Sequence, residues 1–255
     1  MRQLLLIALH YVGRVADRVA RASVYCAAGL SRLRDLQAGT AAAWNDFLAD
    51  DEGIAGGWMH WEQSIAEGIA RAGVRVLIVG CGSGRDVIPF VERGCTVTGI
   101  DPAPKAVDAA RRALAARHLE STLIVGFFED VTLDAQFDLV WFSWFAYSYI
   151  PDTRRRVAAL RKAAALLAPG GQIVISALRH PPRSRLLRVA QSIGRLTGSD
   201  WTIAEGDVFT PVAASRHLRY EHFFTTGEVE GEIASAQLRV VSSAESRTVL
   251  VLALP

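Results

Sequence analysis

The sequence predicts an α/β fold: a doubly wound, seven-stranded, mostly parallel sheet with an antiparallel C-terminal hairpin, an N-terminal helical cap and a lid insertion. Three observations carry this prediction. From Val74 to Leu178, short β-branched runs alternate with helical stretches. Those runs are apolar throughout, as strands buried on both faces are. Two more strand patterns close the chain, joined by a link too short for a parallel crossover.

The elements follow in order. Residues 1–73 read as the helical cap. Leu5, Leu9, Val12, Val15 and Val19 recur at helical spacing, with Arg14, Asp17, Arg18 and Arg21 on the other side. The opening apolar run is too short to span a bilayer and lacks a clean small-x-small cleavage site, so it reads as an amphipathic helix. A second helical pattern, rich in alanine and tryptophan, is punctuated by Gly56-Gly57. The main domain, residues 74–255, begins with the strand RVLIV, then glycines and a helix from near Gly84 to about Arg93. TVTGI, TLIVGF, FDLVWFS and QIVISAL are the next strands, the last introduced by a Pro169-Gly170-Gly171 turn. Helices are expected from about Pro104 to His118 and from about Asp152 to Leu167. Residues 179–225 break the alternation and hold a basic helix candidate (184–196) and a strand candidate, LRYEHFF. A helix, GEVEGEIASA, precedes the hairpin LRVVSSA–SAESR–TVLVLAL.

Composition narrows the function classes. A chain of 255 residues with 51% hydrophobic and 21% charged residues is ordinary globular material. A formal charge of +2 supplies no field for nucleic acid. Three cysteines, Cys26, Cys81 and Cys95, with no CxxC spacing, argue against a disulfide framework or zinc site and for a reducing, cytoplasmic location. No metal is expected.

The most informative segment is VLIVGCGSGRDV, residues 76–87. Gly80, Gly82 and Gly84 stand where a buried strand turns into a helix. Glycine serves there because positive φ is required and a ligand must approach bare backbone. The dinucleotide fingerprint GxGxxG wants its third glycine where Arg85 stands, which argues against a bound pyrophosphate; a P-loop is excluded because no GK[ST] follows.

The GxGxG turn resembles the first motif of class I S-adenosylmethionine-dependent methyltransferases, and three further matches come in the family's order. TVTGIDPAP puts Asp101 at the end of the second strand, where a carboxylate accepts both ribose hydroxyls. Its competing reading is a helix N-cap. FDLVWFSWF looks like the fourth motif, with Asp138 structural and Ser143 facing the cofactor cleft. LLAPGGQIVIS is similar to the segment before the fifth strand, and the terminal hairpin fits the family's antiparallel seventh strand. The resemblance covers residues 74–178 well and 226–255 moderately. The implied cofactor is S-adenosyl-L-methionine, held by Gly80, Cys81, Gly82, Gly84, Asp86, Asp101, Glu129, Asp130 and Ser143. One departure stands: Ile78 occupies the place of the family's usual acidic residue. Asp86 is either its substitute or a first-turn dipole partner. For the adenine amino group, Asp130 and Glu129 both qualify, with Phe127 or Phe128 against the ring. Cys81 reads as a small packing residue rather than a nucleophile.

The implied activity is methyl transfer to a small-molecule acceptor on oxygen or nitrogen. Trp144, Tyr147 and Tyr149, with Arg179, are candidates for the acceptor side; the aromatics could equally be core. His180 and His222 are candidate general bases, each with a structural role as its alternative. Arg179, Arg183, Arg185, Arg188 and Arg195 read as a solvated helix face, or as contacts to an anionic substrate or acidic membrane surface. Arg154-Arg155-Arg156 reads as solvated surface. Two rival functions remain: a nicotinamide-dependent oxidoreductase and a non-catalytic membrane-associated module on the same fold. A nucleic-acid substrate is disfavoured, since no [DN]PP[YF] signature follows the fourth strand. Peripheral membrane contact through the N-terminal helix is a further reading, and oligomeric state is left open.

Overall fold

A computed structural model of the chain describes residues 2–47, 51–181, 184–213, 215–244 and 248–255. The elements run α1 (Arg2–Leu30), α2 (Leu33–Asp46), α3 (Asp51–Ala55), α4 (His60–Ile69), β1 (Arg75–Val79), α5 (Val87–Glu92), β2 (Thr96–Asp101), α6 (Pro104–Ala115), β3 (Thr122–Val125) and β4 (Phe137–Phe142). A 3-10 turn (Ala146–Tyr149) leads to α7 (Thr153–Ala165) and β5 (Leu167–Ser176). The insertion contributes α8 (Leu187–Thr197), β6 (Asp207–Pro211) and β7 (Leu218–His222). The chain then adds α9 (Glu228–Ser235), β8 (Arg239–Ala244) and β9 (Val249–Ala253).

The main sheet has seven strands in the order β3-β2-β1-β4-β5-β9-β8. The strands β1 to β5 are mutually parallel, while β9 runs antiparallel to both β5 and β8. The chain runs from β1 outward to β2 and β3 on one side, then crosses from β3 to β4 on the other side of β1. That divergence opens a crevice at the strands' C-terminal ends, where open sheets of this kind take ligands.

Continuous apolar strands are buried on both faces, as their composition demands. In β1, Leu77 and Val79 pack toward α7 and α9, while Val76 and Ile78 pack toward α4, α5 and α6. In β4, Val140 and Phe142 take the first face, Leu139 and Trp141 the second. Helix α6 starts with Pro104 in its first turn, and the Asp152 side chain caps α7 by accepting the Arg154 N–H at 2.9 Å.

A third apolar cluster joins Ala28 and Leu36 to Leu187, Ala190, Trp201 and Phe209. The end of α1, helix α2 and the insertion are therefore packed as one layer. At their contact a Cβ added to Gly39 would lie 2.0 Å from the Leu218 carbonyl oxygen, so α2 meets β7 backbone to backbone. Residues 5–21 of α1 stand clear of this layer and are exposed on every side.

Several local expectations are corrected. Strand β6 was not legible, because Asp207 and Pro211 flank a core of only three apolar or β-branched residues. Helix α5 begins at Val87, after a run of turns, and not near Gly84. The Pro169-Gly170-Gly171 segment lies inside β5, at a register irregularity opposite Phe137–Leu139, and does not precede the strand. Arg156 is fully buried, not solvated. Arg185, Arg188 and Arg195 are exposed, as a solvated face requires, whereas Arg183 and the 245–247 hairpin link lie outside the described residues. No helix among the described residues is long and apolar enough to cross a membrane.

Candidate active site

The site is built at the tips of β1, β2 and β4. As β1 ends, the Gly80 and Cys81 N–H groups both donate to the Ile100 carbonyl, at 2.8 and 3.1 Å, folding the turn onto β2. Gly80, Gly82 and Gly84 all have positive φ. Each glycine is needed for a different reason. A Cβ on Gly80 would come within 2.9 Å of Ala146 Cβ, and one on Gly84 within 3.3 Å of Ala110 Cβ on α6. A Cβ on Gly82 would meet nothing within 4 Å: it would project into open space. That space is a cavity of about 1040 Å3, counting the part open to solvent.

Asp101 closes the other side of the turn. Its Oδ2 accepts the Gly82 N–H at 2.9 Å and its Oδ1 accepts the Ala103 N–H at 2.8 Å. Burial raises its pKa, against the pull of those two backbone donors. With one donor on each oxygen, lone pairs remain for a ligand's hydroxyls. The carboxylate lines the cavity and holds the Ala103 N–H just ahead of α6, but it is not that helix's N-cap, which is Ala103 without a side-chain cap.

The remaining walls come from three places. Gly126, Phe127, Phe128 and Glu129 form one, and burial raises the Glu129 pKa. Of the two acids considered for the adenine, Glu129 lines the cavity and Asp130 does not. Ser143, Trp144 and Tyr149 follow β4. Trp144 and Phe145 sit at φ of 35° and 61°, and the Phe145 N–H is held by Ser176 Oγ at 2.7 Å. Such non-glycine positions cost about 1–3 kcal/mol each and re-aim the chain at the cavity mouth. Helix α2 supplies the last wall with Gln37, Thr40 and Trp44, joined by Phe47 just past its end. Trp44 packs on Trp144 and Tyr149, with ring centroids 5.8 and 5.2 Å apart.

Asp86 does not line the cavity. Its buried carboxylate accepts from Ser143 Oγ and Trp141 Nε1 and pairs with Arg85 at 2.8 Å, tying the glycine turn to β4. Cys81 is buried and desolvation pushes its thiol pKa up, in keeping with a packing role. Arg85 does not crowd the helix–strand contact, which Gly84 provides; it turns to the cavity wall over Trp144 and pairs with Glu62 at 3.1 Å. Glu62 was missed. Burial, then the charge of Asp86, raises its pKa to about 7 despite Arg85. Its sequence signature is only that of an acid in the first turn of α4. The α2 wall was missed too, because Gln37, Thr40, Trp44 and Phe47 recur at helical spacing and look like a core stripe.

The structure does not bring His180, His222, Tyr147 or Arg179 to the cavity. His180 is exposed. Arg179 pairs with Glu230 at 3.6 Å. Tyr147 is fully buried, its hydroxyl donating to Glu232 at 2.6 Å. His222 is buried between Asp207 at 2.7 Å and Glu228 at 3.0 Å, so both ring nitrogens are engaged. Sequence spacing could not reveal this, since the partners lie on β6 and α9.

The His222 clamp gives a pH expectation. Burial opposes its charge, but the hydrogen bonds to Asp207 and Glu228 prevail and raise its pKa above the ordinary value. Burial likewise opposes Glu228 ionisation, yet His222 and the Thr225 donors lower its pKa to about 2. The imidazolium therefore stabilises the fold below pH about 6.5, and that stability is lost as pH rises through the higher folded pKa. The Glu228 contribution is present above pH about 4.5 and lost as pH falls toward 2. Urea midpoints measured across pH 4 to 9 should fall at both ends, and His222→Asn should flatten the alkaline limb; an unchanged limb would remove the clamp from the explanation.

Residues 76–171 match the family described as "Methyltransferase domain". The chain is 35% identical over 140 residues to a ubiquinone biosynthesis O-methyltransferase of Xanthomonas campestris pv. campestris, covering 52% of this chain and 55% of that protein. It thus spans about half the length of the curated relatives it matches. An uncharacterized methyltransferase of Mycobacterium bovis is 28% identical over 179 residues, 68% of this chain and 69% of that one. In fold the chain is similar to the CcbJ methyltransferase of Streptomyces caelestis (TM-score 0.56, 18% identity, 80% of this chain and 95% of that one). It is also similar to CalS10, an amino pentose methyltransferase of Micromonospora echinaspora (TM-score 0.55, 23% identity, 79% and 93%). The glycine turn and Asp101 meet at one cavity within or beside the matched stretch: residues 76–171 are similar to the methyltransferase domain family, and the chain shares the fold of solved methyltransferases.

Proposed function

We propose that this chain transfers a methyl group from S-adenosyl-L-methionine to a small-molecule acceptor, on oxygen or nitrogen. The observation that carries the reading is the open space over Gly82, bounded by an Asp101 carboxylate with accepting capacity to spare. In this reading Asp101 holds the ribose hydroxyls, Glu129 faces the adenine, and Gly80, Cys81, Gly82 and Ser83 offer bare backbone. The cofactor's sulfonium supplies an electrophilic methyl, so the protein's task is alignment and exclusion of water. A base is needed only where the acceptor arrives protonated.

Residues 1–73 then serve as a cap, with α2 closing the cavity, and residues 179–225 as the lid that carries α2. The names of the relatives, an O-methyltransferase and an amino pentose methyltransferase, favour a small acceptor over a macromolecule. Calorimetric titration with S-adenosylhomocysteine is expected to show saturable binding of micromolar order, about −8 kcal/mol. Binding of NADH in its place would favour the oxidoreductase reading and end this one.

Peripheral membrane contact through α1 is a second proposal with its own observation. Leu5, Leu9, Val12, Val15 and Val19 are all exposed, on a helix whose other side carries Arg14, Arg18 and Arg21. Exposed apolar stripes backed by arginine suit an acidic lipid surface. Flotation with phosphatidylglycerol vesicles should retain the chain, and deletion of residues 2–21 should abolish retention; equal retention would discard the idea.

A further inference from the structure

Two polar atoms in the cavity wall have no use inside the protein. Thr40 Oγ1 and Gln37 Nε2 on α2 are both shielded from solvent, and neither has a hydrogen-bond partner among the described residues. Thr40 is only 6% exposed. Both residues line the same cavity as Gly82 and Asp101. They stand three positions apart on one face of α2, and Trp44 and Phe47 continue that face. A buried polar atom left without a partner carries an uncompensated desolvation cost, so two side by side in one wall are unusual unless something outside the chain satisfies them.

The helix that holds them is fixed. Gly39 lies against the Leu218 backbone, and Asn45 Oδ1 accepts the Lys105 N–H at 2.9 Å. The surroundings are aromatic: Trp44, Phe47, Trp144 and Tyr149 pack edge to face or tilted against one another along the cavity. The groups assigned to the adenosyl moiety, Asp101, Gly82 and Glu129, belong to other walls. An aromatic wall carrying one amide donor and one hydroxyl suits a flat ring with a polar substituent.

We propose that Gln37 and Thr40 are specificity-determining residues that receive a hydroxyl-bearing aromatic acceptor, the Gln37 amide donating to the hydroxyl oxygen and Thr40 Oγ1 bonding the same substituent. The inference rests on the methyl-transfer reading only in calling this ligand the acceptor.

The test uses an isosteric probe pair, 2-naphthol and 2-methylnaphthalene, followed by the probes' own fluorescence anisotropy on the full chain. The wild type is expected to prefer 2-naphthol by about tenfold or more, one good hydrogen bond's worth. In the Gln37→Leu/Thr40→Val variant the preference should shrink to about threefold or less, and Thr40→Ser should retain it. The double variant should melt no lower than wild type, since it removes unpartnered buried polar atoms. S-adenosylhomocysteine affinity should be the same in both proteins. A wild type without preference, or a preference that survives the double variant, would overturn the proposal. A double variant that instead loses S-adenosylhomocysteine binding would hand the pair to the cofactor and overturn it equally. If the wild type fails to bind S-adenosylhomocysteine, the methyl-transfer reading falls, while the probe ratio still decides what the pair recognises.

Discussion

Glu232→Leu is expected to lower stability by about 3–5 kcal/mol, the usual cost of leaving a buried charge without its partner. Arg156 is fully buried and gives Glu232 hydrogen bonds of 3.0 and 2.7 Å, while the Tyr147 hydroxyl donates to the same carboxylate. Removing Glu232 strands the Tyr147 hydroxyl and leaves the buried Arg156 with only the more distant Glu228 carboxylate, at 3.7 Å. Tyr220, 3.2 Å from the guanidinium, donates its hydroxyl to Asp207 at 2.7 Å and, being neutral, cannot take over as a charge partner. Thermal denaturation should therefore show a melting point lower by roughly 10 °C or more. The double variant Glu232→Leu/Arg156→Met should recover part of the loss, because a matched apolar pair carries no desolvation cost while the Tyr147 hydroxyl stays without its acceptor. A double variant no better than the single one would show that the network does more than neutralise a charge.

Asp101→Ala is expected to weaken S-adenosylhomocysteine binding by about tenfold or more, a loss of about 1.4 kcal/mol. The substitution also frees the Gly82 and Ala103 N–H groups, so part of the loss comes from a slackened turn. Asp101→Asn separates the two effects: its amide oxygen still accepts from one backbone N–H, while the charge is lost. Calorimetry on the three proteins reads the result directly. Equal affinities in wild type and Asp101→Ala would take this carboxylate out of the site.

The sheet and the glycine turn at its edge were legible because they rest on local rules. Strands buried on both faces must be continuously apolar, and a strand-to-helix turn that takes a ligand must be glycine-rich. Asp101 was legible for the same reason: it sits at a fixed chain distance from that turn. Glu62 and the α2 wall were not, since a carboxylate in a first helical turn and a helical stripe are the commonest features of any helix. What sets them apart is the partner each finds, Arg85 for Glu62 and empty space for Gln37 and Thr40. Arg156 misled in the opposite direction. A triplet of arginines at a helix start looks solvated, and only the pairing of α7 with α9 shows that the third points inward. The histidines failed similarly: the acids that claim His222 come from a strand the sequence concealed and from a helix six residues on.

The contact at Gly39 has a wider meaning. With no side chain at Gly39 between α2 and β7, the helix lies directly on the backbone of the β6–β7 pair, so any shift of β7 presses on the helix. A changed residue on the far side of that strand would therefore shift α2 and with it the packing of Trp44 on Trp144, reshaping one wall of the cavity from a distance.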